Sequence, residues 1–151
     1  ASVQSLFAAN HYRAIGFTEL VRSALMPFSA AMDGGRIETI DEHGLIVSER
    51  GAFLLTLVLN ELATNAVKHG ALSTGSGTVR LRTRRDSAIT IDWHEEFPNQ
   101  GAVADSRLGF GSRILQDIAP RGLQGTATFE LLPTGLAYSL TVDPHIFGAA
   151  A

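Results

Sequence analysis

The chain has 151 residues, of which 45% are hydrophobic and 18% charged, which is typical of a folded globular domain and excludes an intrinsically disordered protein. Its formal net charge of -3 gives no general attraction to nucleic acid or to an anionic membrane, so we expect neither as a partner of this segment. The absence of cysteine excludes disulfides and thiolate metal sites, and it agrees with the reducing cytoplasm as the expected location.

The first part of the chain predicts a helix followed by a short hairpin. Apolar residues recur with a helical rhythm over residues 6–28, and the glycine pair at 34 and 35 ends the helical region. Residues 36–40 alternate between polar and apolar, as a half-buried strand does, and a turn at 41–44 leads into the apolar residues 45–47. We therefore predict that these two strands pair with each other.

A long central helix follows and carries a narrow polar stripe. Ser48 is its predicted N-cap, and Gly70 is its predicted end. Glu61, Asn65 and Lys68 stand at i, i+4 and i+7, so a carboxylate, an amide and an ammonium share one side of an otherwise apolar helix. The stripe indicates the wall of a pocket, but polar side chains that only satisfy neighbouring backbone groups would give the same spacing.

The rest of the chain predicts two further hairpins with a loop and a helix between them. The predicted elements are a flexible loop at 73–77, strands at 78–84 and 88–94, a long loop up to Leu108, a helix that begins near Gly109 and ends near Pro120 or Gly122, and strands at 126–132 and 136–142. In the strand at 78–84, Arg80, Arg82 and Arg84 alternate with apolar residues, and we interpret this basic face as solvated rather than as a docking patch.

This order of elements predicts an α+β fold. Strands arrive mainly as hairpins with helices between them, so we expect a two-layer α/β sandwich with a mixed, mainly antiparallel sheet that three helices cover on one face. The first residue is not Met, which indicates a piece of a longer protein. We expect residues 1–10 to be a linker or a remnant of an upstream helical domain, residues 11–147 to be the functional domain, and residues 148–151 to be a frayed tail.

Three groups of residues have the chemistry of a nucleotide site. Asn65 could offer an oxygen to Mg²⁺, Glu61 could orient water or accept a proton, and Lys68 with His69 could contact phosphates. Gly109-Phe110-Gly111-Ser112 could approach phosphate at a helix start, although a simple helix-entry turn has the same composition. The acidic end of the strand near Glu95 could accept a hydrogen bond from an adenine amino group, or it is only a polar strand end.

These motifs resemble those of histidine kinases. Residues 60–72, Asn-Glu-Leu-Ala-Thr-Asn-Ala-Val-Lys-His-Gly-Ala-Leu, resemble the asparagine box, and Trp93-His94-Glu95 resembles the Trp-x-Glu signature of the HWE class. Residues 109–113, Gly-Phe-Gly-Ser-Arg, resemble the second glycine box of that class. The resemblance extends over residues 20–144 and implies a Bergerat-type catalytic domain that binds ATP and Mg²⁺.

The resemblance also implies a role for each matching residue. Asn65 would coordinate Mg²⁺, Glu61 would act as a base or orient water, and Glu95 would read adenine. Residues 96–108 would form the ATP lid. The residues that would contact the phosphates or border them are Lys68, His69, Gly109, Phe110, Gly111 and Ser112.

The chain departs from the family at three places. Asn60 stands where the HWE class has its histidine, and Glu96-Phe97-Pro98 replaces the glycines expected after Trp-x-Glu. No His-Arg-x-x-Asn phosphoacceptor segment occurs, and the sequence around His11 does not match one. The resemblance therefore implies a sensor histidine kinase domain whose substrate histidine lies on a separate dimerisation domain, with a response regulator downstream.

Two other functions remain compatible with the sequence. A degenerate domain could keep the fold and serve as a docking or phosphotransfer module without ATP, as the replacement of glycines at 96 and 97 would suggest. An anti-sigma-type serine kinase would share the fold and act on a protein partner. Nucleotide binding separates the first of these from a kinase, and the sequence upstream of residue 1 separates the second.

Overall fold

The computed structural model describes residues 14–98 and 113–148 of the chain, which form helices and strands in alternation. In chain order the elements are β1 (Ile15–Gly16), α1 (Phe17–Ala24), a 3₁₀ turn (Met26–Phe28), α2 (Ser29–Asp33), β2 (Ile37–Ile40), β3 (Ile46–Val47), α3 (Glu49–His69), a second 3₁₀ turn (Ala71–Ser73), β4 (Thr78–Arg85), β5 (Ile89–Glu96), a π-helical turn (Ile114–Ile118), α4 (Ala119–Gly122), β6 (Thr126–Leu132), β7 (Gly135–Val142) and α5 (Pro144–Phe147).

The main sheet has five strands in the order β2-β4-β5-β7-β6. The β2–β4 pair is parallel, and the β4–β5, β5–β7 and β6–β7 pairs are antiparallel. The two hairpins β4–β5 and β6–β7 have nearly the predicted bounds because short turns join strands that are adjacent in sequence. The sheet is therefore mixed and mainly antiparallel, as predicted.

Helices cover one face of this sheet. Leu81, Trp93 and Tyr138 lie side by side on β4, β5 and β7 and are fully buried or nearly so. On that side α3 packs between α1 and the helical segment formed by the π-helical turn and α4. Burial of this apolar layer explains why the alternating strands and the long helix fold together, and it confirms the predicted α+β fold with its three covering helices.

The opposite face of the sheet is polar. Arg84 contacts Asp92 on the neighbouring strand, with Nε to Oδ2 at 2.7 Å, and Arg80 contacts Glu38 at 3.3 Å. The hydrogen bond and the charge of Asp92 raise the pKa of Arg84 further above its ordinary value. Exposed ion pairs of this kind contribute about 0–1 kcal/mol each, so these contacts agree with a solvated face.

The predicted hairpin between residues 36–40 and 45–47 is wrong. β2 forms the edge of the main sheet and runs parallel to β4, while β3 pairs with β1 in a separate two-stranded sheet. The turn between them does form, and Asp41 Oδ2 accepts the N–H of Leu45 at 3.0 Å. Alternation of polar and apolar residues reveals a strand with one buried face, but it does not reveal the partner of that strand.

Both ends of the described chain also differ from expectation. The first helix begins at Phe17, because Ile15 and Gly16 pair with β3, and residues 1–13 lie outside the described residues. Near the other end, Gly148 forms a β-bridge with Val47, and residues 149–151 of the predicted frayed tail lie outside the described residues. The preceding Phe147 is buried against the start of α3 and ties the C-terminal segment to the core.

Candidate functional site

Helix α3 carries the predicted polar stripe on one of its sides. Its start is fixed by Ser48, whose Oγ accepts a hydrogen bond from the N–H of Gly51 at 3.0 Å, as predicted for an N-cap. Glu61 and Asn65 are partly buried, whereas Lys68 is exposed. Residues four positions apart on a helix have Cβ atoms about 5–6 Å apart, so the carboxylate and the amide are neighbours.

The stripe lies on the side of α3 that faces α4. Leu54 contacts Gly122 of α4, and a Cβ atom added at Gly122 would lie 2.7 Å from Leu54 Cδ1. Glu61 and Asn65 follow Leu54 by seven and eleven positions, which brings them back to the same side of the helix. The stripe therefore borders the space next to the helical segment that starts at Arg113.

The side chains of the stripe have no polar partners within residues 14–98 and 113–148. Glu61, Asn65, Lys68 and the adjacent His69 make no hydrogen bond or ion pair with any residue in these ranges. A side chain that only satisfied the backbone would show such a bond, so this interpretation of the stripe receives no support from the described residues. Among the described residues, no side chain or backbone group occupies the polar atoms of the stripe.

Asn60 provides the contrast, because it has a partner. Its Nδ2 donates to the carbonyl of Thr56, one turn earlier, at 2.9 Å. It lies about 100° around the helix axis from Glu61 and therefore outside the stripe. The position at which the chain departs from the HWE signature is thus occupied by a side chain bound to its own helix.

Glu95 lies on β5 and is separate from the polar stripe of α3. It is fully buried, and each of its carboxylate oxygens accepts one hydrogen bond: Oε1 from the N–H of Ala71 at 3.0 Å and Oε2 from Nε1 of Trp93 at 2.8 Å. Burial of a carboxylate is costly unless hydrogen bonds compensate, and these two bonds supply that compensation. Glu95 therefore joins β5 to the segment that follows α3.

Arg36 holds the same segment from the other side, a contact that no sequence pattern predicts. Its Nη2 donates to the carbonyl of Ala71 at 2.9 Å, to that of Thr74 at 2.6 Å and to that of Gly77 at 3.0 Å, and its Nε donates to Gly77 as well. The predicted flexible loop at 73–77 is therefore fixed by a guanidinium that lies more than 30 residues earlier in sequence. Together, Arg36 and Glu95 fix the chain immediately after His69.

The stripe of α3 offers oxygen donors of the kind that a magnesium ion prefers. The described residues contain no group of three or more histidine and acidic side chains that could hold a metal. Mg²⁺ commonly takes only one or two protein oxygens and completes its octahedron with phosphate oxygens and water. The amide oxygen of Asn65 and the carboxylate of Glu61 are of the correct type, and neither has a partner among the described residues.

The second glycine motif cannot be placed in this way. Gly109, Phe110, Gly111 and Ser112 lie outside the described residues, as do residues 99–108 of the predicted lid. The described site thus consists of the α3 stripe, the fixed segment after it, and the end of β5.

Comparison with known proteins then relates this chain to a family. No family model matches it. It is 35% identical over 124 residues to a blue-light-activated histidine kinase of Brucella anthropi, a match that covers 79% of this chain and 25% of that protein. A protein of the same name from Brucella ovis is 29% identical over 136 residues, which covers 85% of this chain and 27% of that one. The chain is a relative of histidine kinases. It spans about a quarter of the length of these curated relatives.

Solved structures of histidine kinases have the same fold. The histidine kinase domain of the Erythrobacter litoralis EL346 blue-light-activated kinase superposes with a TM-score of 0.58 at 22% identity and covers 82% of this chain and 64% of its own. The catalytic domain of histidine kinase ThkA gives a TM-score of 0.62 at 14% identity, covering 87% and 95%. Full-length ShkA in complex with AMPPNP gives 0.61 at 17% identity, covering 92% and 32%. These likenesses confirm the fold of a histidine kinase catalytic domain.

The histidine kinase relationship confirms the family that the three motifs indicated. Within the ranges that the structure describes, no helix combines the length and apolar character needed to cross a membrane.

Proposed function

We propose that this histidine kinase relative is an ATP-binding catalytic domain that transfers the γ-phosphoryl group of ATP to a histidine on a separate dimerisation domain. The observation that carries the proposal is the stripe of α3, where a carboxylate, an amide and an ammonium lie in a row without a polar partner among the described residues. The names of the curated relatives and the AMPPNP complex of ShkA support the same function.

Asn65 and Glu61 would hold the metal side of the site. The Asn65 oxygen would be a direct ligand of Mg²⁺, and Glu61, one turn earlier, would orient water or accept a proton. Bound Mg²⁺ would neutralise part of the negative charge that phosphoryl transfer must stabilise. Because the protein offers few ligands, ion and nucleotide would bind together.

Lys68 and His69 would contact the phosphates. Both come at the end of α3, where the fixed Ala71 segment holds the backbone in place. Gly109, Phe110, Gly111 and Ser112 would border the phosphates from the other side, with backbone N–H groups as donors. Catalysis would then depend mainly on positioning and charge stabilisation.

Glu95 would accept a hydrogen bond from the adenine amino group only if the residues around its carboxylate moved. Each of its oxygens already accepts one hydrogen bond, and the side chain is fully buried. A carboxylate has further lone pairs, so a third donor could be accepted if the residues around it opened. The proposed adenine contact therefore requires movement near the end of β5.

The partners of the whole protein follow from the same proposal. They are a histidine-bearing dimerisation domain, which this chain does not supply in recognisable form, and a response regulator downstream. The proposed location is the cytoplasm, where ATP is available. The relatives are named histidine kinases, which favours a histidine over a serine as the phosphate acceptor.

Calorimetric titration with AMPPNP and Mg²⁺ tests the proposal. The unmodified chain should bind, and Asn65→Ala should weaken binding roughly tenfold, the typical effect of losing one strong polar contact. Asn60→Ala is the matched control, because it removes an identical side chain that is bound to Thr56 outside the stripe. With EDTA in place of Mg²⁺, the difference between Asn65→Ala and the unmodified chain should disappear.

Folded protein that does not bind AMPPNP would disprove the proposal. Equal losses for Asn60→Ala and Asn65→Ala would disprove the assignment of the metal ligand while leaving nucleotide binding intact. Circular dichroism of each variant establishes that the fold is retained.

A degenerate docking or phosphotransfer module is the second candidate. The burial of Glu95 favours it, and so does Phe97, which is buried and donates its N–H to the carbonyl of Thr134 at 2.9 Å where the family has glycine. Such a module would fold normally and bind no nucleotide. The same titration therefore decides between the two functions.

A further inference from the structure

The segment after Arg113 contains a π-helical turn, in which hydrogen bonds span five residues instead of four. The N–H of Ala119 donates to the carbonyl of Ile114, which fixes this wider spacing. Such turns are rare and are often found at functional sites because they displace one residue from the regular helix. This one lies in the helical segment that packs against α3, where Gly122 contacts Leu54.

The π-helical spacing leaves the carbonyl of Leu115 without a backbone donor. In an α-helical turn its donor would be the N–H of Ala119, but that group is bound to Ile114. In a π-helical turn its donor would be residue 120, which is proline and has no N–H. Leu115 is buried, so water is not a ready substitute.

Tyr138 supplies the missing donor. Its hydroxyl donates to the Leu115 carbonyl at 2.6 Å, and its side chain is 1% exposed. Tyr138 lies in the middle of the sheet, opposite Trp93 on β5 and Phe129 on β6. The hydrogen bond therefore connects a strand that is paired on both sides to the irregular part of the helix.

We propose that Tyr138 is a positioning residue of the nucleotide site, because its hydroxyl holds residues 114–118 in the π-helical register. This inference rests on the proposed function. Without the hydroxyl, Leu115 could regain a partner by taking the N–H of Ala119, which returns the turn to α-helical spacing. That change rotates Arg113 and Ile114 by about 100° relative to α4 and so alters the face that this helical segment turns toward α3.

The register can be measured directly in the Tyr138→Phe variant. Through-hydrogen-bond NMR couplings report which carbonyl accepts the N–H of Ala119. The unmodified chain should show the coupling to Ile114, and Tyr138→Phe should show it to Leu115. Affinity for AMPPNP with Mg²⁺ should fall about tenfold, the size expected when a buried carbonyl must find another partner.

A second substitution provides the rescue. Pro120→Ala restores an N–H at the position that a π-helical turn would use to pair Leu115. The double variant Tyr138→Phe, Pro120→Ala should therefore regain the coupling of Ala119 to Ile114 and most of the lost affinity. A hydroxyl that only added stability to the core would not be replaced by an N–H on another element.

Thr90→Val is the matched control. It removes a hydroxyl from the same sheet, on the polar face, where Thr90 and Thr141 share a hydrogen bond at 3.3 Å. It should leave both the coupling and the affinity unchanged. The inference is overturned if Tyr138→Phe keeps the coupling to Ile114, or if the register changes without a loss of affinity. An unmodified chain that binds no AMPPNP overturns the proposed function itself, and the positioning role falls with it.

Discussion

Trp93 donates its indole Nε1–H to Oε2 of Glu95, two residues further along β5, at 2.8 Å. Both side chains are fully buried on the helix-covered face of the sheet. The other oxygen of Glu95 accepts the N–H of Ala71, just beyond the end of α3. The two residues that form the Trp-x-Glu signature are thus bound to each other, and together they connect the sheet to the chain that leaves the polar stripe.

Glu95→Gln should lower the free energy of unfolding by about 1–3 kcal/mol, the cost of a buried polar group that loses its partner. The carboxylate accepts from two N–H donors, whereas a glutamine amide has only one oxygen. Its NH₂ group would face either Ala71 or Trp93 and leave that donor unpaired. Urea denaturation monitored by circular dichroism measures the loss.

Glu96→Gln is the control for this prediction. Glu96 is the next residue on β5, is exposed, and lies opposite Thr78 on the other face of the sheet. Its substitution should change stability by less than about 0.5 kcal/mol. If the two variants are equally stable, the Glu95 bonds do not contribute in the way that the structure indicates.

Gly77→Ala should be strongly destabilising, by roughly 2 kcal/mol or more, because the segment has no room for a side chain. A Cβ atom at Gly77 would lie 2.7 Å from the Cα of Ala71, and Arg36 binds the carbonyls of both residues. The backbone therefore cannot relax without breaking the Arg36 contacts. Thermal and urea unfolding measure the effect.

Gly75→Ala tests whether steric overlap causes the loss of stability expected for Gly77→Ala. Apart from Gly75 and its two chain neighbours, no residue has an atom within 4 Å of a Cβ added at Gly75, which is exposed in the same loop. Alanine there should be neutral or stabilise by up to about 1 kcal/mol, because it restricts the unfolded chain. A similar loss at both positions would mean that the loop requires glycine for another reason.

The elements that depend on local sequence were predictable. The bounds of α3 follow from the Ser48 cap and the Gly70 end, and the two hairpins follow from alternation around short turns. The pairing of β2 was not, since its parallel partner β4 comes about 40 residues later and no local pattern specifies it. The same limit applies to β1, where two residues pair with a strand that lies beyond the first helices.

In the candidate site, too, positions set by local sequence were predictable and positions set by tertiary contacts were not. The stripe of Glu61, Asn65 and Lys68 was predictable because helical periodicity alone brings these residues to one side. The burial of Glu95 was not, because it depends on how Trp93 and Ala71 close around it. Arg36 and Tyr138 were missed because each binds backbone carbonyls, which leave no trace in the sequence. Only Pro120 offered a signal in the sequence, because a proline has no N–H and leaves a carbonyl of the preceding turn, here that of Leu115, in need of another donor.

Stability should fall as the pH rises above about 10, and Tyr138 should account for part of the slope. Burial raises the pKa of the Tyr138 phenol well above its ordinary value. The unfolded chain releases this proton near pH ~10, whereas the folded chain still holds it, so the unfolded state binds fewer protons and is favoured as the pH rises. The contribution is complete below pH ~10 and decreases above it by at most about 1.4 kcal/mol for each pH unit.

Tyr138→Phe isolates this effect, because the second tyrosine, Tyr12, is retained in both proteins. Near pH 7 the variant should be less stable by about 0.5–1.5 kcal/mol, since it lacks the hydrogen bond to Leu115. Above pH ~10 the difference between the two proteins should narrow, because phenylalanine has no proton to lose. Urea denaturation at a series of pH values between 7 and about 11 measures both parts. A constant difference across this range would mean that the phenol ionises equally easily in the folded and unfolded chains, which is incompatible with its burial against the π-helical turn.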